Sequence, residues 1–230
     1  MLNPEILEIL SASKPWGWVL EPDAKRILSL AGIKVPRFVW AKTLKEALGF
    51  AEENRYPLVA KVVSPKVIHK TEQKGVALGI QNKIALAEAF HRLNSFDGAK
   101  GVLVEESIQG IELIIGAKID FQFGPVVLVG MGGTGVEIYQ DTSLRMAPIT
   151  AEDSESMLNG LKAHRLLEGY RGAEPINRQA LGSMLTAFSR LVMALDERVS
   201  SIDLNPVFCS AQDCVVGDAR IMLPSQTEKI

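Results

Sequence analysis

Cysteine is scarce in this chain, with only Cys209 and Cys214 among 230 residues. Their spacing suits neither a zinc site nor a disulfide framework, so two buried or half-buried thiols in a reducing compartment are expected. No run approaches eighteen uncharged apolar residues, which excludes a helical membrane span. The opening residues Met1-Leu2-Asn3-Pro4-Glu5 lack the basic patch and apolar stretch of a secretory leader, so a cytoplasmic location is expected. An excess of one charge is missing too: the formal net charge is -2, which argues against nucleic acid as the main partner. Repeats, low-complexity runs and composition shifts that would mark a linker are absent as well. What remains is ordinary for a folded domain, 47% apolar and 23% charged. The length suffices for one large domain or two small subdomains.

Periodicity supplies the elements. Ala24, Ile27, Leu28 and Ala31 recur at helical spacing before Gly32, and Leu44, Ala47, Leu48 and Ala51 repeat it behind a Thr43 N-cap with Glu46 three residues on. A third helix is expected over Lys83–Phe96. The longest carries Leu181, Met184, Leu185, Phe188, Leu191, Val192 and Leu195 on one stripe. Strands are expected at 37–41, 58–63, 75–80, 101–106, 111–119, 125–131, 135–140, 201–210 and 213–223, several joined by hairpin-length turns. Strands and helices do not alternate regularly, so the fold class is α+β rather than a doubly wound parallel sheet. A division near residue 107 follows from the hairpins that open the second half.

Several residues carry possible chemistry. Gly130-Met131-Gly132-Gly133-Thr134-Gly135 matches a dinucleotide-binding glycine pattern, but that fingerprint needs a helix to begin among the glycines. Val136-Glu137-Ile138-Tyr139 reads instead as strand, which leaves a loop whose amides approach a phosphate, or a plain tight turn. In Ile202-Asp203-Leu204-Asn205-Pro206, Asp203 and Asn205 share one face of a strand, and a hairpin brings Asp218 opposite. Such hard oxygen donors suit Mg²⁺ bridging polyphosphate, although an Asp-x-Asn pair can also mark an edge or turn. Lys61, within the apolar run 58–63, either snorkels to the surface or holds an anion. Arg145 is a weaker case of the same kind. Glu105, Glu106 and Glu112 either flank a nucleotide or are surface charge. His91 and His164 read as solvated. His69 sits in the polar loop 67–72, either solvated or available as a nucleophile or acid/base group.

The order of motifs is more specific than any one of them. Ala-Lys-Val-Val-Ser-Pro (60–65), Ile-His-Lys-Thr (68–71), Gly-Val-Leu-Val-Glu-Glu (101–106), Gly-Ile-Glu-Leu-Ile-Ile-Gly (110–116), Gly-Met-Gly-Gly (130–133), Ser-Leu-Arg-Met-Ala-Pro-Ile (143–149), Ile-Asp-Leu-Asn-Pro (202–206) and Asp-Ala-Arg-Ile (218–221) follow one another. The series resembles the ATP-grasp module of ADP-forming acyl-CoA synthetases, relatives of succinyl-CoA synthetase, over about residues 18–223.

The resemblance implies an ATP-grasp fold holding nucleotide between two α+β subdomains, 18–107 and 108–226, with an N-terminal extension 1–17 and a tail 227–230. By matched position, Lys61 would contact the phosphates of ATP or ADP, Glu105 and Ser107 would line the adenine, and Glu112 the ribose. Asp203, Asn205 and Asp218 would carry Mg²⁺. Arg145 and the loop 130–135, with Gly132 and Gly133, would face the transferred phosphoryl group, and His69 would carry it. The implied reaction is reversible: acyl-CoA, ADP and phosphate give acid, CoA and ATP, through a phosphohistidine on a CoA-binding alpha subunit in an α2β2 assembly. One departure stands out. The family shows Gly-Gly-Val after the histidine loop where this chain has Lys74-Gly75-Val76, which bears on loop geometry or phosphate contact. Alternative readings are a non-catalytic nucleotide-binding subunit or another ATP-grasp ligase.

Overall fold

Asn3-Pro4-Glu5, a capping side chain followed by proline and an acidic residue, starts a helix that the periodicity reading overlooked. In a computed structural model, which describes residues 2–133 and 140–224, the Asn3 side chain accepts from the Glu5 N–H and opens α1 (Pro4–Ser13). Strand β1 (Trp18–Val19) and helix α2 (Glu21–Leu30) follow. The chain divides into two units, one of 20–22 and 36–108, the other of 1–19, 23–35 and 109–230. The expected boundaries are therefore corrected at the N-terminal side. Residues 1–17 are no loose extension, because Ile6 and Leu10 enter the core of the larger unit, as do Ala24, Ile27 and Leu28 of α2.

In the smaller unit, β2 (Phe38–Ala41), β3 (Leu58–Val62), β4 (Val76–Ile80) and β5 (Val102–Glu106) form an antiparallel sheet in the order β2-β5-β3-β4. Helices α3 (Leu44–Glu53) and α4 (Lys83–Asn94) supply the rest of its core. Alternation decides which strand residues enter it. Leu58, Ala60 and Val62 join Ala47, Ala51, Leu86, Phe90 and Leu93, while Val59 and Lys61 point from the other face. Thr43 caps α3 by accepting from the Glu46 N–H, and the Glu46 carboxylate accepts from Lys42 N at 2.6 Å.

The larger unit has β6 (Ile111–Asp120), β7 (Gly124–Met131), β8 (Thr142–Met146), β9 (Ser201–Cys209), β10 (Cys214–Val216) and β11 (Ala219–Met222). Among the described residues its sheet runs β1-β11-β9-β6-β7-β8, with β10 also paired to β9. One face packs on α5 (Ala151–Asn159) and α7 (Arg178–Leu195), with the short α6 (His164–Leu167) between them in sequence. The stripe expected in α7 is buried along its length, with Leu181, Leu185, Phe188, Val192 and Leu195 fully covered. The strand expected at 135–140 lies outside the described residues up to position 139, whereas 142–146, not read as a strand, forms β8.

The cysteine expectation needs correction. Cys209 and Cys214 face each other across the β9–β10 hairpin, Cα atoms 4.2 Å apart, and are joined as a disulfide. Five residues of separation suggested no framework, but the hairpin register brings the two side chains together.

Candidate functional site

In the smaller unit, the β3 pattern sends one ammonium away from the helix-packed face. Lys61 neither snorkels nor waits for solvent. Its Nζ lies 2.7 Å from Glu21 Oε1 and 2.9 Å from Glu105 Oε1, and all three side chains are buried. Glu105 shares this face because it pairs with Val59 across β3 and β5. Lys70, also buried, sits 3.0 Å from the other oxygen of Glu21. Lys61 and Lys70 thus meet the buried carboxylates of Glu21 and Glu105 in a place where an unpaired charge would cost several kcal/mol. Glu21 and Lys70 were missed by sequence reasoning, since Glu21 lies forty positions before Lys61 and local periodicity cannot join them.

Next to the buried Lys70, His69 is exposed, with 59% of its side chain accessible and Nδ1 3.8 Å from Glu72 Oε1. The loop ends at Lys74, whose φ of 57° is the left-handed region that glycine tolerates and lysine does not favour. Gly75, the next residue, cannot be replaced cheaply, because a Cβ there would meet Val62 Cγ1 at 2.7 Å. Glu106 faces away from Glu105 and grips Arg37, whose Nε lies 2.8 Å from Oε1. Ser107 follows β5 directly and is half-buried.

In the larger unit, β9 gathers the acidic set. Its alternation places Asp203 outside and Ile202 and Leu204 in the core. Between Leu204 and Val207 the strand takes three steps while β6 takes two, from Ile115 to Leu113. This bulge at Asn205–Pro206 leaves Asn205 exposed on the face of Asp203 before Val207 re-enters the core. The Asn205 N–H donates to the Asp218 carbonyl at 3.2 Å, so the expected opposition of Asn205 and Asp218 holds in the backbone pairing. The run 213–223, expected as one strand, breaks into β10 and β11 at Gly217-Asp218. Asp203 is partnered across the sheet by Arg220, Nη2 to Oδ2 at 3.0 Å.

The donor set fits Mg²⁺ in kind: two carboxylates and an amide oxygen, all hard, leaving room for phosphate oxygens and water. Among the described residues no group of three or more His, Cys, Asp or Glu side chains gathers as a metal cage. An open set of two acids and one amide is what an ion shared with phosphates asks for.

Glu112 is exposed on β6, and its carbonyl accepts from the Gly132 N–H at 2.7 Å. Both glycines are required here. A Cβ on Gly132 would lie 2.7 Å from that carbonyl, and Gly133 has a φ of 84°. Thr134 and Gly135, the rest of the expected loop, lie outside the described residues.

Arg145 is not brought to the acidic set. On β8 it pairs with the buried Val127, whereas Asp203 pairs with Gly116, Gly116 with Leu128 and Leu128 with Leu144. Arg145 and Asp203 therefore occupy opposite faces of one sheet. The Arg145 guanidinium donates to Ser156 Oγ of α5 at 3.1 Å, on the helix-covered side. Its matched position suggested phosphate, but strand parity places it with the helices.

The chain as a whole is similar to known proteins. Residues 11–223 match the family model described as ATP-grasp domain. The chain is similar to the acetate–CoA ligase (ADP-forming) I subunit beta of Pyrococcus furiosus, 39% identical over 215 residues that cover 89% of this chain and 91% of that one. It is 34% identical to a 4-hydroxybutyrate–CoA ligase (ADP-forming) of Nitrosopumilus maritimus, covering 89% of this chain and 31% of that longer protein. A solved structure of acetyl-coenzyme A synthetase 1 from Ca. Korarchaeum cryptofilum superposes with a TM-score of 0.84 at 35% identity, covering 95% of this chain and 100% of that chain. That structure is in complex with coenzyme A and Mg-AMPPCP, its phosphohistidine segment pointing towards the nucleotide-binding site.

Proposed function

The chain belongs to the ATP-grasp domain family, and on that premise we propose that it is the nucleotide-binding subunit of an ADP-forming acyl-CoA synthetase. With a CoA-binding partner subunit, in an α2β2 assembly in the cytoplasm, it makes ATP from ADP and phosphate at the expense of an acyl-CoA, reversibly. The observation that carries this reading is the similarity to a beta subunit of such a ligase across nine-tenths of both chains. The paired Asn205 and Asp218 beside Asp203, and the buried Lys61, give that similarity its chemistry.

In this reading Asp203, Asn205 and Asp218 hold Mg²⁺, which when bound neutralises the polyphosphate oxygens. Lys61, held by Glu21 and Glu105, offers its ammonium to a phosphate, and the Gly132 and Gly133 backbone admits an anion close to the chain. Glu112 takes the ribose, and Glu105 with Ser107 lines the base. The partner forms acyl phosphate from acyl-CoA and phosphate, releasing CoA, and a histidine of the partner takes the phosphoryl group, releasing the acid. His69 receives the phosphoryl in turn and yields it to the terminal oxygen of ADP, breaking a P–N bond as the P–O bond forms. Transfer of this kind asks the protein for positioning and charge neutralisation.

The reading is tested by assembling the chain with a co-expressed CoA-binding partner. ATP should form from acyl-CoA, ADP and phosphate, and Mg-ADP should raise the melting temperature of this chain while NADH leaves it unchanged. A complex that binds Mg-ADP yet forms no ATP with any acyl-CoA overturns the catalytic reading, and tight NADH binding overturns the nucleotide assignment.

A further inference from the structure

We propose that Glu21 is a positioning residue of the phosphoryl-transfer site, holding Lys61 with one carboxylate oxygen and Lys70 with the other and so fixing the loop that carries His69. The role rests on the functional reading above, because it is the His69 loop whose placement would matter to transfer. Its warrant is the geometry. Lys61 Nζ stands 2.7 Å from Glu21 Oε1, and Lys70 Nζ stands 3.0 Å from Glu21 Oε2. Glu21 and Lys70 are 1% and 7% exposed.

Lys70 belongs to the connection between β3 and β4, where its neighbours His69 and Thr71 are both exposed. A loop has no reason to turn an ammonium inward unless a buried carboxylate meets it, since an unpaired charge there costs several kcal/mol. The loop conformation and the Glu21 carboxylate are therefore coupled. The Lys70 main chain is held as well, its carbonyl accepting from the Gly75 N–H at 2.6 Å. With side chain and backbone both fixed, the residue immediately before it, His69, has little freedom of position. Glu105 completes the series by meeting Lys61 from β5 at 2.9 Å. The phosphate-binding lysine and the histidine loop thus share one carboxylate, each meeting a different oxygen of Glu21. A shorter or neutral side chain at position 21 cannot serve both cations.

Three substitutions test this in the chain assembled with its CoA-binding partner: Glu21→Gln, Glu21→Asp and Lys70→Met. Two measurements are made on each, amide hydrogen exchange and steady-state ATP formation with Mg-ADP varied. Exchange over residues 64–74 should quicken by on the order of tenfold while that of β2 and β5 stays at the parental rate. The turnover number per folded molecule should fall by on the order of tenfold in all three. In Lys70→Met, the KM for Mg-ADP should stay within about threefold of the parent, because Lys61 keeps its partners. A role confined to stability would instead lower the melting temperature, speed exchange throughout the smaller unit and leave turnover per folded molecule unchanged. That outcome overturns the proposal. So does a Glu21→Asp chain with parental loop exchange and turnover, since it keeps the charge but not the reach. Glu21→Asp also guards against the possibility that the neutral variants fail to fold. If the unsubstituted complex forms no ATP, the functional reading fails and takes this role with it. Parental activity with unchanged loop exchange in Lys70→Met sinks this role alone.

Discussion

At the scale of single residues, the most informative position is a lysine with a left-handed backbone. Lys74 adopts a φ of 57°, a conformation that costs a residue with a Cβ, so the lysine bears the strain. Lys74→Gly should therefore stabilise the chain by about 0.5–1 kcal/mol, the relief of left-handed strain exceeding the added freedom of the unfolded state. Gly75→Ala, one residue on, should do the opposite, because its Cβ would meet Val62 Cγ1 at 2.7 Å. Urea midpoints at unchanged slope measure both, and a Lys74→Gly midpoint below the parent's contradicts the strain argument. The acidic set makes a second prediction at this scale. Asp203→Asn and Asp218→Asn should each lower ATP formation by on the order of 100-fold and raise the Mg²⁺ needed for half-maximal rate. The fold should survive, since both residues are only half-buried. Near-parental activity in both variants would remove Mg²⁺ from these residues. That Asp203 and Asn205 share a strand face was legible because they are two apart in a strand-like run. The buried partners of Lys61 were not, because a carboxylate forty positions away is joined to it only by tertiary structure.

At the scale of elements, the long amphipathic helix and the capped α3 were legible, whereas α1 and α5 were not. The α7 stripe runs from Leu181 to Leu195, about four turns of consistent spacing, and tertiary packing agrees with it. Helix α5 is announced by a different signal, the capping box of Thr150 and Asp153, which a search for apolar periodicity passes over. The bulge in β9 was illegible for a physical reason: its extra residue is defined only against β6, and the sequence of one strand does not display its partner's register. The capping box carries a pH prediction. The Thr150 N–H, and after it the Thr150 hydroxyl, hold the Asp153 carboxyl below the usual aspartate range. A carboxylate depressed on folding contributes stability that is fully present above its unfolded value of about 3.9 and is lost as pH falls through the folded value. The stability difference between the parent and Asp153→Ala should therefore be constant near neutrality and shrink in acid below about pH 4. A difference independent of pH down to acid unfolding would mean that the ionised carboxylate is not what caps α5. Phe188→Ala, in the fully buried middle of α7, should cost about 3–5 kcal/mol at any of these pH values.

At the scale of the whole molecule, the residues proposed for the chemistry fall in two units that sequence order does not separate cleanly. The lysines and His69 belong to the unit of 20–22 and 36–108, whereas Asp203, Asn205, Asp218, Glu112 and the glycines belong to the other. Residues 20–22 lie apart in sequence from the rest of their unit, yet they bring Glu21 to Lys61 and Lys70. The choice this leaves is how the phosphoryl group travels from partner to ADP. Two routes satisfy the family chemistry: a relay through His69, or direct transfer from the partner's phosphohistidine with His69 only placing a phosphate. The exposure of the His69 imidazole suits a group that must receive something from outside the chain. A relay needs an imidazole nitrogen as nucleophile, which no amide supplies. His69→Asn, assembled with its partner, should therefore lose ATP formation while binding Mg-ADP as the parent does. Under the relay, the partner's histidine still becomes phosphorylated from acyl-CoA and phosphate, and that species accumulates because its acceptor is gone. Under direct transfer, asparagine keeps a hydrogen-bonding group at position 69 and a substantial fraction of turnover remains. Steady-state ATP formation and acid-quenched phosphohistidine content, measured on the same sample, separate the two. Robust turnover with no accumulation eliminates the relay, and loss of turnover with a phosphorylated partner establishes His69 as the acceptor.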